Sequence, residues 1–361
     1  MVNIGTIKND GFRLNSQDKP LEDMAFISLK IALKAYFETY SSMSHALSSF
    51  INDTNRDQTQ SDYNYSNRYN EAYTETIIHF HHFIELICKN FLRNEHALLV
   101  DSSDKTSILF KLLKGLPISD SELIITKSIE FAQTLDRLST LIENNLISDS
   151  RLQFILEAKP WLNELNILRN RLLHRGIYIL RYPALDNLIC GYVLPFVMKI
   201  TSLPEFQGLD RFWKYKALSC GIEPIDQLIE EVSTEPCDIG KIAYLKELGR
   251  ASYMNPLSNS TYFKFEYKQK VKFIEESTKL YDTNVYRITS CPVCGLKALI
   301  VYDDVDGEYD ETKNDGTYKT AWHLTWQVKC TCCSFKINND LKNASEYGLP
   351  IEDYWFSEYL T

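Results

Sequence analysis

The chain has 361 residues, enough for two or three domains, with 44% hydrophobic residues and only 13 Gly and 11 Pro. That composition excludes a disordered chain and suits a compact, mainly helical protein. The formal net charge of −9 excludes a general nucleic-acid coat, so nucleic acid must be met, if at all, by a local basic patch.

The opening MVNIGTIKND has no basic-then-apolar signal pattern. The longest apolar run, at 187–200, holds Pro195 and is too short to span a membrane. A soluble, cytoplasmic protein with no membrane contact is expected. Residues 21–51 carry a helical pattern, with Met24, Ile27, Ile31 and Ala35 at spacings of three and four. Residues 52–67 are polar, without an apolar period, and are expected as an exposed loop. Across 69–95 the stripe Tyr73, Ile77, Phe80, Ile84, Ile87, Phe91 marks a helix packed in a bundle.

Ser103 or Asp104 can cap a short helix ending near Gly115. Another long helix is expected over 119–145. Asp149 or Ser150 opens a further one, which Pro160 must break or restart. Helical texture continues to about 235, so 1–235 is expected as one all-α domain. Residues 236–284 are a mixed connector, in which KIAYLKELGRA is helical and TYFKFEYKQKVKFI fits strand or helix. From 285 to 340 short β-prone runs lie between cysteine pairs. The acidic, aromatic tail at 341–361 is expected to dock on the body or on a partner.

One helix end stands out. Residues 166–176 read NILRNRLLHRG. At about 100° per residue, Arg169 falls roughly 40° from Leu165, inside the stripe that Leu162, Leu168 and Leu172 define. An arginine there is costly unless it is paired or the stripe opens onto a cleft or interface. Asn170 and His174 are four apart and share a different face, so a straight helix points Arg169 and His174 apart. Across 159–181, five basic side chains (Lys159, Arg169, Arg171, Arg175, Arg181) stand against one acidic one, Glu164. Clustered arginines suit phosphate, and histidine moves protons near neutral pH. Without a metal, such a set can cut RNA: His174 moves the proton, Arg169 stabilises charge on the phosphate, Asn170 orients the site. The plainer reading is a helix C-terminus whose cations suit the dipole, with Gly176 as cap.

RNRLLH resembles the R-N-x-x-x-H motif of HEPN-domain ribonucleases (higher eukaryote and prokaryote nucleotide-binding domains). Arg169, Asn170 and His174 fit it with four residues between Arg and His. The earlier helix HFHHFIELICKNFL is similar to the family's aliphatic-Glu-Leu helix. The resemblance implies a helical bundle and a homodimer in which two motifs form one composite groove. It also implies cleavage of tRNA, mRNA or rRNA to 2′,3′-cyclic phosphate and 5′-hydroxyl ends, in anti-phage defence or as a toxin, with an antitoxin or a phage-derived trigger as partner. Glu85 on the earlier helix is a candidate to orient Arg169 or His174. His79, His81 and His82 read as packing or polar-face residues, because no two are four apart.

Of nine cysteines, five lie between 291 and 333. Cys291-x2-Cys294 and Cys330-x2-Cys333 have zinc-ribbon spacing, and four thiolates suit a closed, structural Zn²⁺ site. Cys332, and less readily His323, are alternative ligands. Between the pairs lies an acidic stretch, expected as a loop over 302–316. Residues 291–340 hold five lysines against eight carboxylates, which favours an architectural or protein-contacting ribbon over a generic RNA grip. Three functions follow in order: a metal-independent endoribonuclease; a non-catalytic HEPN and zinc-ribbon module that senses a protein or RNA; and a DNA-binding regulator.

Overall fold

The computed structural model describes residues 20–44, 47, 65–119, 122, 125–147, 150–176, 178–234, 236–259, 263–281, 284–309 and 318–360. The fold is mainly α, with a small antiparallel sheet at the C-terminal end. Its longer helices are α1 (Pro20–Met43), α2 (Asn67–Glu95), α3 (Thr106–Leu113), α4 (Phe131–Glu143), α5 (Phe154–Arg175), α6 (Tyr182–Thr201), α7 (Pro224–Ser233), α8 (Ile239–Met254) and α9 (Phe263–Lys279). The chain divides into two compact units that interleave along the sequence, where consecutive domains were expected. One takes 1–33, 74–179 and 199–213; the other takes 34–73, 180–198 and 214–361.

In the first unit the stripe expected on α2 is the one buried, from Ile77 through Phe91. On α1 the period is right but the face holds only in part: of the expected stripe Ala35 is buried and Ile31 half-buried. Met24 and Ile27 are 37% and 38% exposed, while Phe26, Leu29 and Leu33 are fully buried. Two interleaved sets share the same spacing there, and the set with an aromatic anchor wins the core. Phe26 packs on Phe83 and Phe206 at 5.8 and 5.7 Å between ring centroids.

The helix expected over 119–145 is shorter. It spans Phe131–Glu143, and a two-residue strand, β2 (Lys127–Ser128), precedes it, pairing with β1 (Asp101–Ser102). Pro160 lies inside α5 without ending it. The missing N–H and ring clash are offset by burial of Ile155, Ala158, Leu162 and Leu165 on one face. Most of the expected loop at 52–67 lies outside the described residues, and its last residue, Asn67, already begins α2.

In the second unit α8 is the central helix. Eleven of its residues, Lys246 and Glu247 among them, are buried. Asp238 caps it by accepting from the N–H groups of Gly240 and Lys241 at 2.8 and 3.2 Å. Both expected connector segments are therefore helical, α8 and α9. Gly249 is required by packing: a Cβ there would lie 2.6 Å from the Phe37 ring.

Helix α6 is a continuous run of 20 residues with a mean hydropathy of 1.3, longer than the apolar stretch read from sequence. Half of it is buried within the protein, which is compatible with a soluble chain. A π turn at Ile189–Val193 lies before Pro195, where a regular α turn would meet the proline ring.

The sheet runs β3 (Val285–Thr289), β4 (Leu299–Tyr309), β5 (Tyr318–Cys330), β6 (Lys336–Asn338), all antiparallel. The tail strand β7 (Ser357–Leu360) also pairs with β5, from Ala321↔Leu360 to Leu324↔Ser357. The tail thus docks on its own chain. The acidic stretch expected as a loop is strand as far as Tyr309; 310–317 lie outside the described residues.

Candidate functional site and metal centre

Helix α5 stays amphipathic only to Leu165. Beyond it no residue of the helix is fully buried; Leu168 and Leu172 are half-buried, and Ile167 and Leu173 are 41% and 46% exposed. The helix closes on Gly176 at φ 63°, whose N–H donates to the carbonyls of Arg171 and Leu172. A side chain is strained in that left-handed position, which is why glycine stands there.

Arg169, Asn170 and His174 line one cleft of about 260 Å³ in the first unit, together with His81 and Glu85 of α2 and Asn166. The divergence on the helical wheel is thereby resolved, because the long arginine side chain reaches the cleft that the other two face. Arg169 is half-buried and its Nη1 donates to Asn170 Oδ1 at 2.8 Å. His174 is exposed at the mouth.

Glu85 lines the cleft, and its bonds go to Lys89 Nζ at 2.7 Å and, at 3.7 Å, to His81 Nδ1. It therefore supports the cleft wall rather than holding Arg169 or His174 directly. His81 is 2% exposed, and its Nε2 lies 2.9 Å from Asn166 Oδ1. Burial lowers its pKa, against the opposing pull of Asn166 and Glu85, with Arg169 adding to the lowering. The ring packs edge-on against Phe131 at 4.6 Å.

His81 and Asn166, with Glu130, Phe131 and Ala132 at the start of α4, are the cleft residues that pattern reading missed. A signal existed: Asn166, Asn170 and His174 recur every four residues, which puts three polar groups on one face. His79 and His82 take other places. His82 Nδ1 meets Ser28 Oγ at 2.7 Å, and burial lowers the pKa of both histidines.

In the second unit the sulfurs of Cys291, Cys294, Cys330 and Cys333 lie within 4.8 Å of one another and can hold a metal ion. Cys291 and Cys333 are 3.5 Å apart, Cys294 and Cys330 3.7 Å. A tetrahedron with metal–sulfur bonds of about 2.3 Å has edges of about 3.8 Å, so the donor set fits Zn²⁺. Four thiols this close cannot all ionise without a cation. Hydrogen bonds from Cys291 and Cys330, then from Cys332 and Cys333, hold Cys294 well below the ordinary thiol range.

Each pair sits on a tight turn that ends in the left-handed region, at Gly295 (φ 75°) and Ser334 (φ 60°). Arg250 holds the second turn by donating to the Ser334 carbonyl at 2.5 Å. Cys332 stands outside the group, its sulfur directed to Asn255 at 3.9 Å. His323 is also outside it, bonded to Asp303 at 2.5 Å.

No family model matches the chain, and neither a curated protein nor a solved structure matches it.

Proposed function

We propose that the chain is an endoribonuclease of the HEPN type, acting without a catalytic metal through Arg169, Asn170 and His174. The observation that carries this reading is that all three line one cleft, in the first unit, on a helix end otherwise rich in arginine. In the reaction the ribose 2′-oxygen attacks the adjacent phosphorus and the bond to the 5′-oxygen breaks. The 2′-hydroxyl proton is taken by an imidazole and the departing 5′-oxygen receives one. This leaves a 2′,3′-cyclic phosphate and a 5′-hydroxyl. Arg169, steadied by Asn170, meets the charge that builds on the phosphoryl oxygens.

A homodimer supplies two copies of His174, one to accept the proton and one to give it. The exposed Ile167 and Leu173, beside half-buried Leu168 and Leu172, provide apolar area for that contact. The four cysteines hold one structural Zn²⁺; a closed thiolate set keeps no position open for a substrate. The RNA is tRNA, mRNA or rRNA, and the setting is cytoplasmic anti-phage defence or toxicity, restrained by an antitoxin or released by a phage-derived trigger.

The test is induced expression in bacteria of the wild-type chain, His174→Ala and Arg169→Ala. Growth arrest with fragmented RNA in the wild type alone is the expected result. Equal growth and intact RNA in all three, with and without phage infection, removes the catalytic assignment and leaves the non-catalytic sensing module.

A further inference from the structure

We propose that a second cleft, in the other unit, binds the phosphate groups of a nucleotide or of a nucleotide strand. It has a volume of about 450 Å³ and is lined by Lys329, Lys336, Arg68, Arg250, Gln327 and Asn338 among others. That size suits a small ligand.

Its floor is the face of the ribbon sheet where β5 meets β6. Lys329 and Lys336 stand directly opposite each other, as do Gln327 and Asn338 two positions along. Like charges opposed across a ladder destabilise it. Neither lysine has an acidic partner among the described residues, and both are exposed. An anion between them removes the repulsion.

Among the described residues the one carboxylate that lines the cleft does not fill that role. Glu247 is buried, and its two oxygens are occupied by Arg250 at 2.6 and 2.7 Å and by the Lys336 N–H at 2.7 Å. That triad fixes the main chain beneath the Lys336 side chain and leaves the side chain itself unengaged. Arg68, 62% exposed, is paired with Glu38 at the cleft edge. Among the described residues, four of the ribbon's acidic side chains, Asp303, Asp304, Asp306 and Glu308, lie on β4 away from its cysteine end, and Asp340 follows β6, where it accepts from Asn338. The cysteine end of the sheet is left to the lysines.

Two ammonium groups opposed across one cleft suit a phosphate ester, which brings up to two negative charges and three acceptor oxygens where a carboxylate brings one charge and two oxygens. Asn338 is committed within the protein, its amide Nδ2 donating to Asp340 at 2.7 Å. This site does not depend on the nuclease reading.

The experiment is a titration of the purified full-length chain with four probes: inorganic phosphate, ATP, a 2′-O-methyl RNA dodecamer that cannot be cut, and a poly-glutamate peptide. The wild type is compared with Lys329→Gln/Lys336→Gln, with the arginine double variant at the same positions, and with Lys272→Gln/Lys279→Gln as a charge-matched control. The glutamine pair should weaken ATP or RNA binding about tenfold or more and lower the salt slope for RNA by about 2. The arginine pair and the control should bind as wild type does. Zinc content and the circular dichroism spectrum verify that each variant is folded. RNA bound much more tightly than ATP assigns a strand; equal affinities assign a free nucleotide. The proposal is overturned if the glutamine pair and the control behave alike, if no phosphate probe binds, or if the peptide binds more tightly than both nucleotide probes.

Discussion

Lys246→Met tests how the second unit is held together. Lys246 is fully buried, and its Nζ lies 2.6 Å from Asp186 Oδ1. The same oxygen accepts from Tyr36 OH at 2.8 Å, and the ammonium sits 4.0 and 4.5 Å from the Tyr182 and Tyr36 ring centroids. Burial raises the Asp186 pKa and lowers that of Lys246, with their mutual attraction opposing both shifts. Methionine keeps most of the volume and removes the charge, so Asp186 remains in a dry site with Tyr36 as its donor. Breaking a buried pair in this way costs about 3–5 kcal/mol.

An independent bound comes from protonation. Asp186 can escape by taking up a proton, and neutralising an ordinary carboxyl at pH 7 costs about 4 kcal/mol, falling to about 1.5 kcal/mol at pH 5. In the variant the folded-state pKa is raised. The Asp186 contribution to stability is therefore full below about pH 4 and is lost as pH rises through the folded value. Guanidinium unfolding followed by circular dichroism should show a loss of about 4 kcal/mol at pH 7 that shrinks by more than half at pH 5. Asp186→Asn added to Lys246→Met should recover much of it at pH 7. A loss below about 1 kcal/mol at pH 7, or one equal at both pH values, would mean that Asp186 does not depend on Lys246 for its charge.

Gly249→Ala forces a Cβ to within 2.6 Å of Phe37; a loss of about 1–3 kcal/mol is expected from thermal or chemical melts, and the added change Phe37→Leu should relieve part of it. Burial lowers the pKa of His79, His81 and His82. Their contribution to stability is thus present above about pH 6.5 and lost as pH falls through the depressed folded values. The melting temperature should drop between pH 7 and pH 5, and less steeply in His81→Gln. Metal analysis should find about one Zn per chain. Cys291→Ser should lose it, along with amide-exchange protection at Leu299–Val301; an undiminished zinc content would remove Cys291 from the ligand set.

Sequence pattern revealed what repetition and spacing carry. The α2 stripe was legible because Tyr73 to Phe91 has one dominant face. The two cysteine pairs were legible because x2 spacing within a turn brings both sulfurs to one side. On α1 two apolar sets compete at the same period, and spacing does not choose between them. Helix α8 has no polar face: Lys246 and Glu247 are charged yet buried, so its central place lay outside any amphipathic reading. Lys246 is satisfied by Asp186, sixty residues earlier, and no local rule connects the two. The interleaving of the two units is likewise a property of long-range packing. At the α5 cleft, Arg169, Asn170 and His174 were found from their spacing. His81 was passed over because its partner, Asn166, lies 85 residues away.

If Arg169 and His174 cut RNA as proposed, the ends of the products carry the signature of the reaction. The direct measurement is mass spectrometry of the products from a defined RNA hairpin incubated with purified protein in EDTA, with its zinc content verified afterwards. Wild type should yield fragments ending in 2′,3′-cyclic phosphate and beginning with 5′-hydroxyl, while His174→Ala and Arg169→Ala yield none above background. Cleavage that persists in both variants, or products carrying 5′-phosphate ends, contradicts the claim.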